Sequence, residues 1–141
     1  MKKVIVLIAL IFSSLCSWGQ EVMYEDEGNG VLMLSVTEYK VKKKEAIKLA
    51  IVDAYQQILF RGIPGSKEYR RSLLGSEEQL TEKQKEYYDR MVNGGRIYSF
   101  INYSYLERYK RKEAVVKLTI NMQALIDDME RNNLYKRFGL Y

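Results

Sequence analysis

The sequence predicts an α+β fold, a small antiparallel sheet of about three strands with a long alanine-spaced helix packed on one face. Three segments predict it: a helical period over residues 45–59, a strict two-residue alternation over 114–122, and a run rich in β-formers over 96–107. The predicted order is β-α-(α)-β-β-α, which is typical of a small two-layer domain. We divide the chain into a signal peptide (1–19), a flexible acidic leader (20–30) and a single α+β domain (31–141).

The amino-terminal segment has the layout of a cleavable secretory signal. Lys2 and Lys3 precede a short apolar run and then a segment of small residues. The apolar run is too short to cross a bilayer, which takes about 20 residues. Cleavage between Gly19 and Gln20 leaves Ser17 at −3 and Gly19 at −1. We therefore expect export to the periplasm and no transmembrane segment in the mature chain.

Acylation of Cys16, as in outer-membrane lipoproteins, is the alternative fate of this segment. Such proteins carry a leucine three residues before the cysteine and a small residue directly before it. Here Ser13 and Leu15 occupy those two positions in the reverse order. Peripheral or lipid-anchored membrane association is therefore the less favoured interpretation.

The first part of the domain predicts a strand followed by a helix. Residues 20–30 are acidic and end in Gly28 and Gly30, which indicates a mobile leader. Residues 31–36 are apolar on both parities, as in a strand that is covered on both faces or central in a sheet. The next segment is predicted to be a helix, in which alanines at every fourth position allow a close approach to the sheet. Its apolar face consists of Ile47, Ala50, Ile51, Ala54, Ile58 and Leu59.

The middle of the chain predicts a second helix over residues 76–92, ended by an Asn-Gly-Gly sequence. Either Ser76 with Gln79 or Thr81 with Gln84 can form its capping box. Its apolar stripe is narrow, so we expect this helix on the surface.

The last part of the chain predicts a β-hairpin and a helix. Residues 96–107 and 114–122 are its strands, and the polar residues 108–112 form the turn. A final helix is predicted over 123–132. The apolar tail 134–141 is expected to dock on the domain.

The composition excludes most catalytic chemistry from the mature chain. The sequence has no histidine, and its single cysteine and tryptophan, Cys16 and Trp18, lie in the signal segment. Most metal and nucleophilic sites depend on cysteine or histidine. Asp127 and Asp128 are adjacent on a helix and diverge, so they do not form an acid–base pair. We expect a protein that is not an enzyme and binds no metal or cofactor.

The net charge of +5 includes Lys2 and Lys3 of the signal segment, and the rest of the excess lies in short basic clusters at residues 40–44, 108–112 and 136–137. Such clusters can meet anionic lipid or nucleic acid, but they are also typical of a solvated helix start, a hairpin turn and a charged tail. Because the chain carries an export signal, we expect no nucleic-acid partner.

Aromatic side chains are the candidate partner contacts, because tyrosine combines a large apolar area with one polar tip. Two lie in the second helix, three in the strand 96–107 and one in the tail: Tyr87, Tyr88, Tyr98, Tyr103, Tyr105 and Phe138. Packing within the sheet is the alternative explanation for these tyrosines.

Three segments, taken in order, resemble the N-terminal domain of the FlgT-type flagellar H-ring protein and related small outer-membrane lipoprotein domains of Gram-negative bacteria. They are the alanine-spaced helix at 45–54, the Gly-Arg-Ile-Tyr-Ser sequence at 95–99, and the Val-Lys-Leu-Thr-Ile strand at 116–120 with Leu125 in the helix after it. The resemblance implies a non-enzymatic α+β module of the cell envelope that acts through protein contacts.

The expected function is that of an exported periplasmic interaction module in a cell-envelope complex, whose protein partner the sequence does not identify. The alternative is a binding protein for an envelope lipid or glycan. That alternative requires a pocket between the sheet and the helices, and ligand pockets start at about 300 Å³.

Overall fold

Four antiparallel strands and three α-helices make up residues 20–135, the part of the chain that the computed structural model describes. The α+β class is therefore confirmed, with one strand more than predicted. The elements are β1 (Gln20–Gly28), β2 (Val31–Glu38), α1 (Ala46–Phe60), α2 (Glu82–Val92), β3 (Ile101–Lys110), β4 (Glu113–Asn121) and α3 (Met122–Arg131). Short 3₁₀ turns occupy Lys43–Glu45, Glu77–Gln79 and Arg96–Phe100.

The additional strand is β1, and it corrects the prediction of a flexible leader over residues 20–30. β1 pairs with β2 from Gln20 opposite Glu38 to Gly28 opposite Val31. Asn29 and Gly30, at φ 55° and 76°, form the two-residue turn between the strands, a turn for which Asn-Gly is the favoured sequence. The element order is thus β-β-α-α-β-β-α.

The strand order across the sheet is β1-β2-β4-β3, so β2 and β4 are central and β1 and β3 are edges. The predicted central position of β2 is confirmed. Alternate residues of the two central strands point to the helices and are buried; they are Leu32, Leu34, Val36, Ala114, Val116, Leu118 and Ile120.

Helix α1 lies on the inner face of the sheet, as the alanine spacing predicted. Ala46, Ala50 and Ala54 are completely buried, which allows a close approach of helix and sheet. The helix ends at Phe60, and two residues later the N–H of Gly62 donates to the carbonyl of Gln57 at 2.8 Å. Gly62 has φ 83°, and a Cβ there would collide with the backbone of the following loop, so only glycine fits this helix end.

Helix α2 begins at Glu82, six residues later than predicted at residue 76, because the sequence before it forms a separate 3₁₀ turn. Of the two predicted capping boxes, that of Thr81 and Gln84 is present, with both reciprocal hydrogen bonds. Ser76 caps the 3₁₀ turn instead.

Residues 96–100 form a 3₁₀ turn and not the start of a strand, so the predicted strand 96–107 was wrong in this part. Gly95, at φ 76°, directs the chain into this turn, and Ser99 Oγ donates to the carbonyl of Arg96 at 2.6 Å. The turn places Ile97 and Phe100 in the core.

The β3–β4 hairpin turns through Arg111 and Lys112 alone, both at positive φ, which is shorter than the predicted turn 108–112. Helix α3 follows β4 directly, and Asn121 Oδ1 accepts from the N–H of Ala124 at 3.0 Å. At the end of the described chain Leu134 and Tyr135 pack against the core. Among residues 20–135, no helix is long and apolar enough to cross a membrane.

Candidate functional site

The outer face of the sheet, which points away from the helices, is left uncovered by the described part of the chain. We call it the open face, and it consists of the outward residues of all four strands. Four of its large side chains are well exposed: Met23 (53%), Met33 (40%), Tyr103 (60%) and Tyr105 (42%). No helix of the described chain lies on it, because α1 to α3 all pack on the other side.

The aromatic part of the open face lies on edge strand β3. Tyr103 and Tyr105 are two residues apart and therefore project from the same side of the strand. Their rings are 5.3 Å apart between centroids and tilted by 49°. Both residues pair with β4, Tyr103 opposite Thr119 and Tyr105 opposite Lys117, so the aromatic pair adjoins the centre of the face.

A charged cluster occupies that centre. Lys117 Nζ pairs with the carboxylate of Glu25 and lies 3.6 Å from Glu107 Oε2. Glu25 stands at a register shift in β1, between Tyr24 and Asp26, where an extra residue re-aims its side chain. Since Lys117 is neutralised by these carboxylates, the centre of the face offers no free cation.

The balance of charge on the open face is acidic, opposite to the net charge of the chain. Strand parity and register place five carboxylates on the face, those of Glu21, Glu25, Asp26, Glu107 and Glu113, and three cations, Lys117, Arg108 and Lys110. An anionic partner such as a lipid headgroup or nucleic acid would be repelled there.

The candidate partner contacts predicted from the sequence are separated by the fold. Tyr103 and Tyr105 lie on the open face. Tyr98 is exposed but belongs to the 3₁₀ turn before β3. Tyr88 is half-buried, stacked on Tyr55 at 6.0 Å and bonded to Gln56. Phe138, like Gly19 and Cys16, lies outside the described residues.

Tyr87 was wrongly predicted as a partner contact, because its side chain is completely buried (0% exposed). Its hydroxyl donates to Asp128 Oδ2 at 2.6 Å, and Arg96 donates to Asp128 Oδ1 at 2.6 Å. This network joins α2, the 3₁₀ turn and α3. Burial alone would raise the pKa of Asp128, but the hydrogen bonds from Tyr87 and Arg96 and the guanidinium charge outweigh it and lower that pKa.

The network is structural in character. Burial, then the hydrogen bond to Asp128 and its charge, raise the pKa of Tyr87, so the tyrosine stays neutral and the aspartate stays ionised near pH 7. Tyr87 and Arg96 are both already bonded to Asp128, which is buried. The arrangement therefore suits fixing three elements in place better than moving a proton to a substrate.

Sequence reasoning missed Met23, Met33 and Glu25 as surface residues of one site. Their common signal is the alternation within β1 and β2, where every second residue is polar or exposed. The Asn29-Gly30 dipeptide would have revealed the hairpin that brings β1 beside β2.

The cavities differ in size and in position. An apolar cavity between the sheet and the helices, lined by Tyr55, Ile97 and Phe100 among others, has a volume of about 10 Å³. An open surface groove of about 490 Å³ is lined by Lys67, Glu68, Arg70, Arg71, Ser72, Leu73 and Tyr135. In the described residues, no group of three or more carboxylate, cysteine or histidine side chains is placed to hold a metal ion.

The fold and the open face define a two-layer α+β domain with one covered and one uncovered side of a four-stranded sheet. In comparisons with known proteins, no family model matches this chain, and no curated protein or solved structure is similar to it.

Proposed function

We propose that this chain is an exported, non-catalytic interaction module of the periplasm that joins a cell-envelope complex through the open face. The observation that carries the proposal is the exposure of Met23, Met33, Tyr103 and Tyr105 on one continuous sheet surface. Large apolar side chains grouped on one exposed face mark interaction sites in proteins. The signal-like sequence of residues 1–19 and the resemblance to envelope domains support the compartment.

The open face favours a protein partner over a lipid or a polyanion. Its apolar side chains surround a neutralised lysine, and its remaining charge is acidic. Tyrosine and methionine are enriched at the centres of protein interfaces. Four strands spaced by about 4.8 Å, with eight residues of about 3.3 Å each, span about 500 Å². This area corresponds to the smaller, transient class of protein interface.

The non-catalytic part of the proposal rests on the residues available. The chain after residue 19 has neither cysteine nor histidine, and its buried aspartate, Asp128, is engaged by Tyr87 and Arg96. An envelope lipid or glycan ligand is the second candidate function. The cavity of about 10 Å³ between sheet and helices gives it little support, but the cationic groove at Lys67, Arg70 and Arg71 would suit an anionic glycan.

Site-specific photo-crosslinking in cells that make the protein tests the proposal. A photoreactive phenylalanine analogue is placed at Tyr103, on the open face, or at Leu49, which is comparably exposed on the helical side. We expect one defined adduct with an envelope protein from position 103 and none from position 49. The adduct from position 103 should disappear when Met33→Lys is added, because a charge then lies in the apolar part of the face.

Binding of the purified partner then gives the quantitative test. The double variant Tyr103→Ser/Tyr105→Ser should weaken binding at least about tenfold, since aromatic side chains dominate interface energies. The control Leu49→Ser should bind like the unaltered chain. Equal crosslinking from both positions, or binding that depends on Arg70 and Arg71 and not on the tyrosines, would contradict the proposal and favour the groove.

A further inference from the structure

A buried and a partly buried carboxyl group meet near one end of the sheet. Glu38 is the last residue of β2 and is only 4% exposed, and its carboxyl group is hydrogen-bonded to Asp53 on α1. Burial, together with the hydrogen bond and the charge of Asp53, raises the pKa of Glu38 to about 9. Glu38 therefore keeps its proton at neutral pH.

This carboxyl pair has no cationic partner among residues 20–135. None of the ion pairs in that part of the chain includes Glu38 or Asp53. Tyr88, whose pKa is raised by burial and by the charge of Asp53 among others, is neutral and supplies no cation. Glu38 Oε1 is buried and has no hydrogen-bond partner. A buried acid with an unsatisfied oxygen is costly unless a donor or a cation reaches it.

Gln20, the first residue of β1, lies beside this carboxyl pair. It lies directly opposite Glu38 in the β1–β2 ladder, and opposite Cα atoms in such ladders are about 4.5–5.5 Å apart. With the Gln20 amide turned so that its nitrogen faces Asp53, that nitrogen is 2.7 Å from Oδ1 and 2.5 Å from Oδ2. Gln20 thus already contacts the pair through its side chain.

The position of Gln20 gains meaning from the signal sequence. Cleavage after Gly19 would convert the backbone nitrogen of Gln20 from a neutral amide into an α-ammonium group. That nitrogen is about 1.5 Å from the Cα that faces Glu38. Opposite charges within about 4–6 Å stabilise each other's ionised forms, and an ammonium group here would belong to the residue that pairs with Glu38 in the ladder and whose side chain contacts Asp53.

We propose that the α-ammonium group of Gln20 in the mature chain is the cationic partner of the carboxyl pair formed by the buried Glu38 and the partly buried Asp53. Removal of the signal peptide then completes the electrostatics of the fold as well as releasing the protein. The inference rests on the proposed cleavage between Gly19 and Gln20. It assigns a stabilising role to the first residue of the mature chain, and this role is independent of the open face.

The two forms of the chain should respond differently to pH. Without the ammonium, the native state keeps a proton on Glu38 that the unfolded state loses above the ordinary glutamate pKa of 4.5. The unfolded state then binds fewer protons, so stability falls as pH rises from about 4.5 to about 9. With the ammonium in place, Glu38 can ionise beside a cation, and this loss should be much smaller.

The test compares chain 20–141, which contains every described element, with a free and with an acetylated Gln20. Acetylation removes the charge and keeps the side-chain amide. At pH 7 we expect the folding equilibrium constant of the free form to be about tenfold larger, equivalent to one pKa unit. The pKa of the free α-amine, followed by its acylation rate, should rise above the ordinary range of about 7.7–8.0.

The variant Asp53→Asn/Glu38→Gln is the matched control, because it keeps the shape of the pair and removes its acidity. In that background the acetylated and free chains should be equally stable. Equal stability in the unaltered background, or an α-amine pKa at or below the ordinary range, would overturn the inference.

Mass spectrometry of the exported protein determines its first residue and whether the α-amine is free. A start at Gln20 with a free amine is the expected result. A different start, or cyclisation in which the α-nitrogen bonds to Cδ and the side-chain nitrogen leaves as ammonia, would also overturn the inference, since no ammonium would then face Glu38. Neither result bears on crosslinking from the open face, so the two proposals fail separately.

Discussion

The two faces of the one sheet differ sharply in how much of their apolar surface is exposed. On β2, Leu32, Leu34 and Val36 are completely buried under the helices, whereas Met33, between them, is among the exposed hydrophobic residues. Both sets are apolar, so side-chain hydrophobicity does not distinguish them. What distinguishes them is whether a helix lies above, and only the inner face has one.

This comparison shows how one strand can carry two separate roles. The inner set supplies the hydrophobic energy of folding, because its side chains leave water completely. The outer set remains in water in the isolated domain. An apolar side chain that contributes little to the fold is available to bind a partner. The comparison can be tested by changing neighbouring residues of β2 in the same way.

The largest difference is expected between Leu34→Thr and Met33→Thr. The first leaves a cavity and a hydroxyl group under α1, and we expect it to lower the free energy of unfolding by about 3 kcal/mol or more. The second places a good strand former on the exposed face and should change that free energy by less than about 0.5 kcal/mol. Urea unfolding of the two variants measures both values.

A similar loss from both substitutions would mean that Met33 is covered in solution and that the two faces are not distinct. A small loss from Leu34→Thr would mean that the inner face is loosely packed. Either result would break the comparison between the covered and the open side.

A smaller effect is expected at the polar network within the covered side. Asp128→Asn removes the charge that Arg96 and Tyr87 face, and we expect a loss of about 2 kcal/mol at pH 7. The matched control is Asp127→Asn on the same helix, which should cost less than about 0.5 kcal/mol because Asp127 is less buried.

The pH dependence of the stability of the same variant tests whether Asp128 is ionised in the folded state. The pKa of Asp128 is lowered in the folded state from its ordinary value of 3.8. Its contribution is therefore complete above that value and is lost as pH falls below it. Asp128→Asn should be less sensitive to acid than the unaltered chain. Parallel acid transitions of the two chains would show that the network is not ionised as described.

The sequence predicted those elements whose periodicity is local. The alanine spacing of α1 and the alternation of β4 predicted which face of each element is buried, because these two faces pack against each other. The capping box at Thr81 and Gln84 was predicted for the same reason, since it depends on residues three apart.

The remaining errors have long-range causes. Acidic residues masked the alternation of Val22 and Tyr24 in β1, which becomes a strand by pairing with β2. The sequence around Tyr87 does not distinguish it from an exposed tyrosine such as Tyr103. Tyr87 can be buried because its hydroxyl donates a hydrogen bond to Asp128, which is distant in the sequence. The open face itself could not be predicted, because it depends on which side of the sheet receives all three helices.

Methionine oxidation tests the central claim, that the open face is covered by a partner in the envelope, most directly. Met23 and Met33 are exposed on that face, whereas Met91, Met122 and Met129 are completely buried and serve as internal controls. In the purified chain we expect rapid oxidation of Met23 and Met33 only. In intact envelopes we expect both to be protected at least about fivefold, as for side chains desolvated in an interface. Equal oxidation of Met23 and Met33 in the two settings would contradict the account.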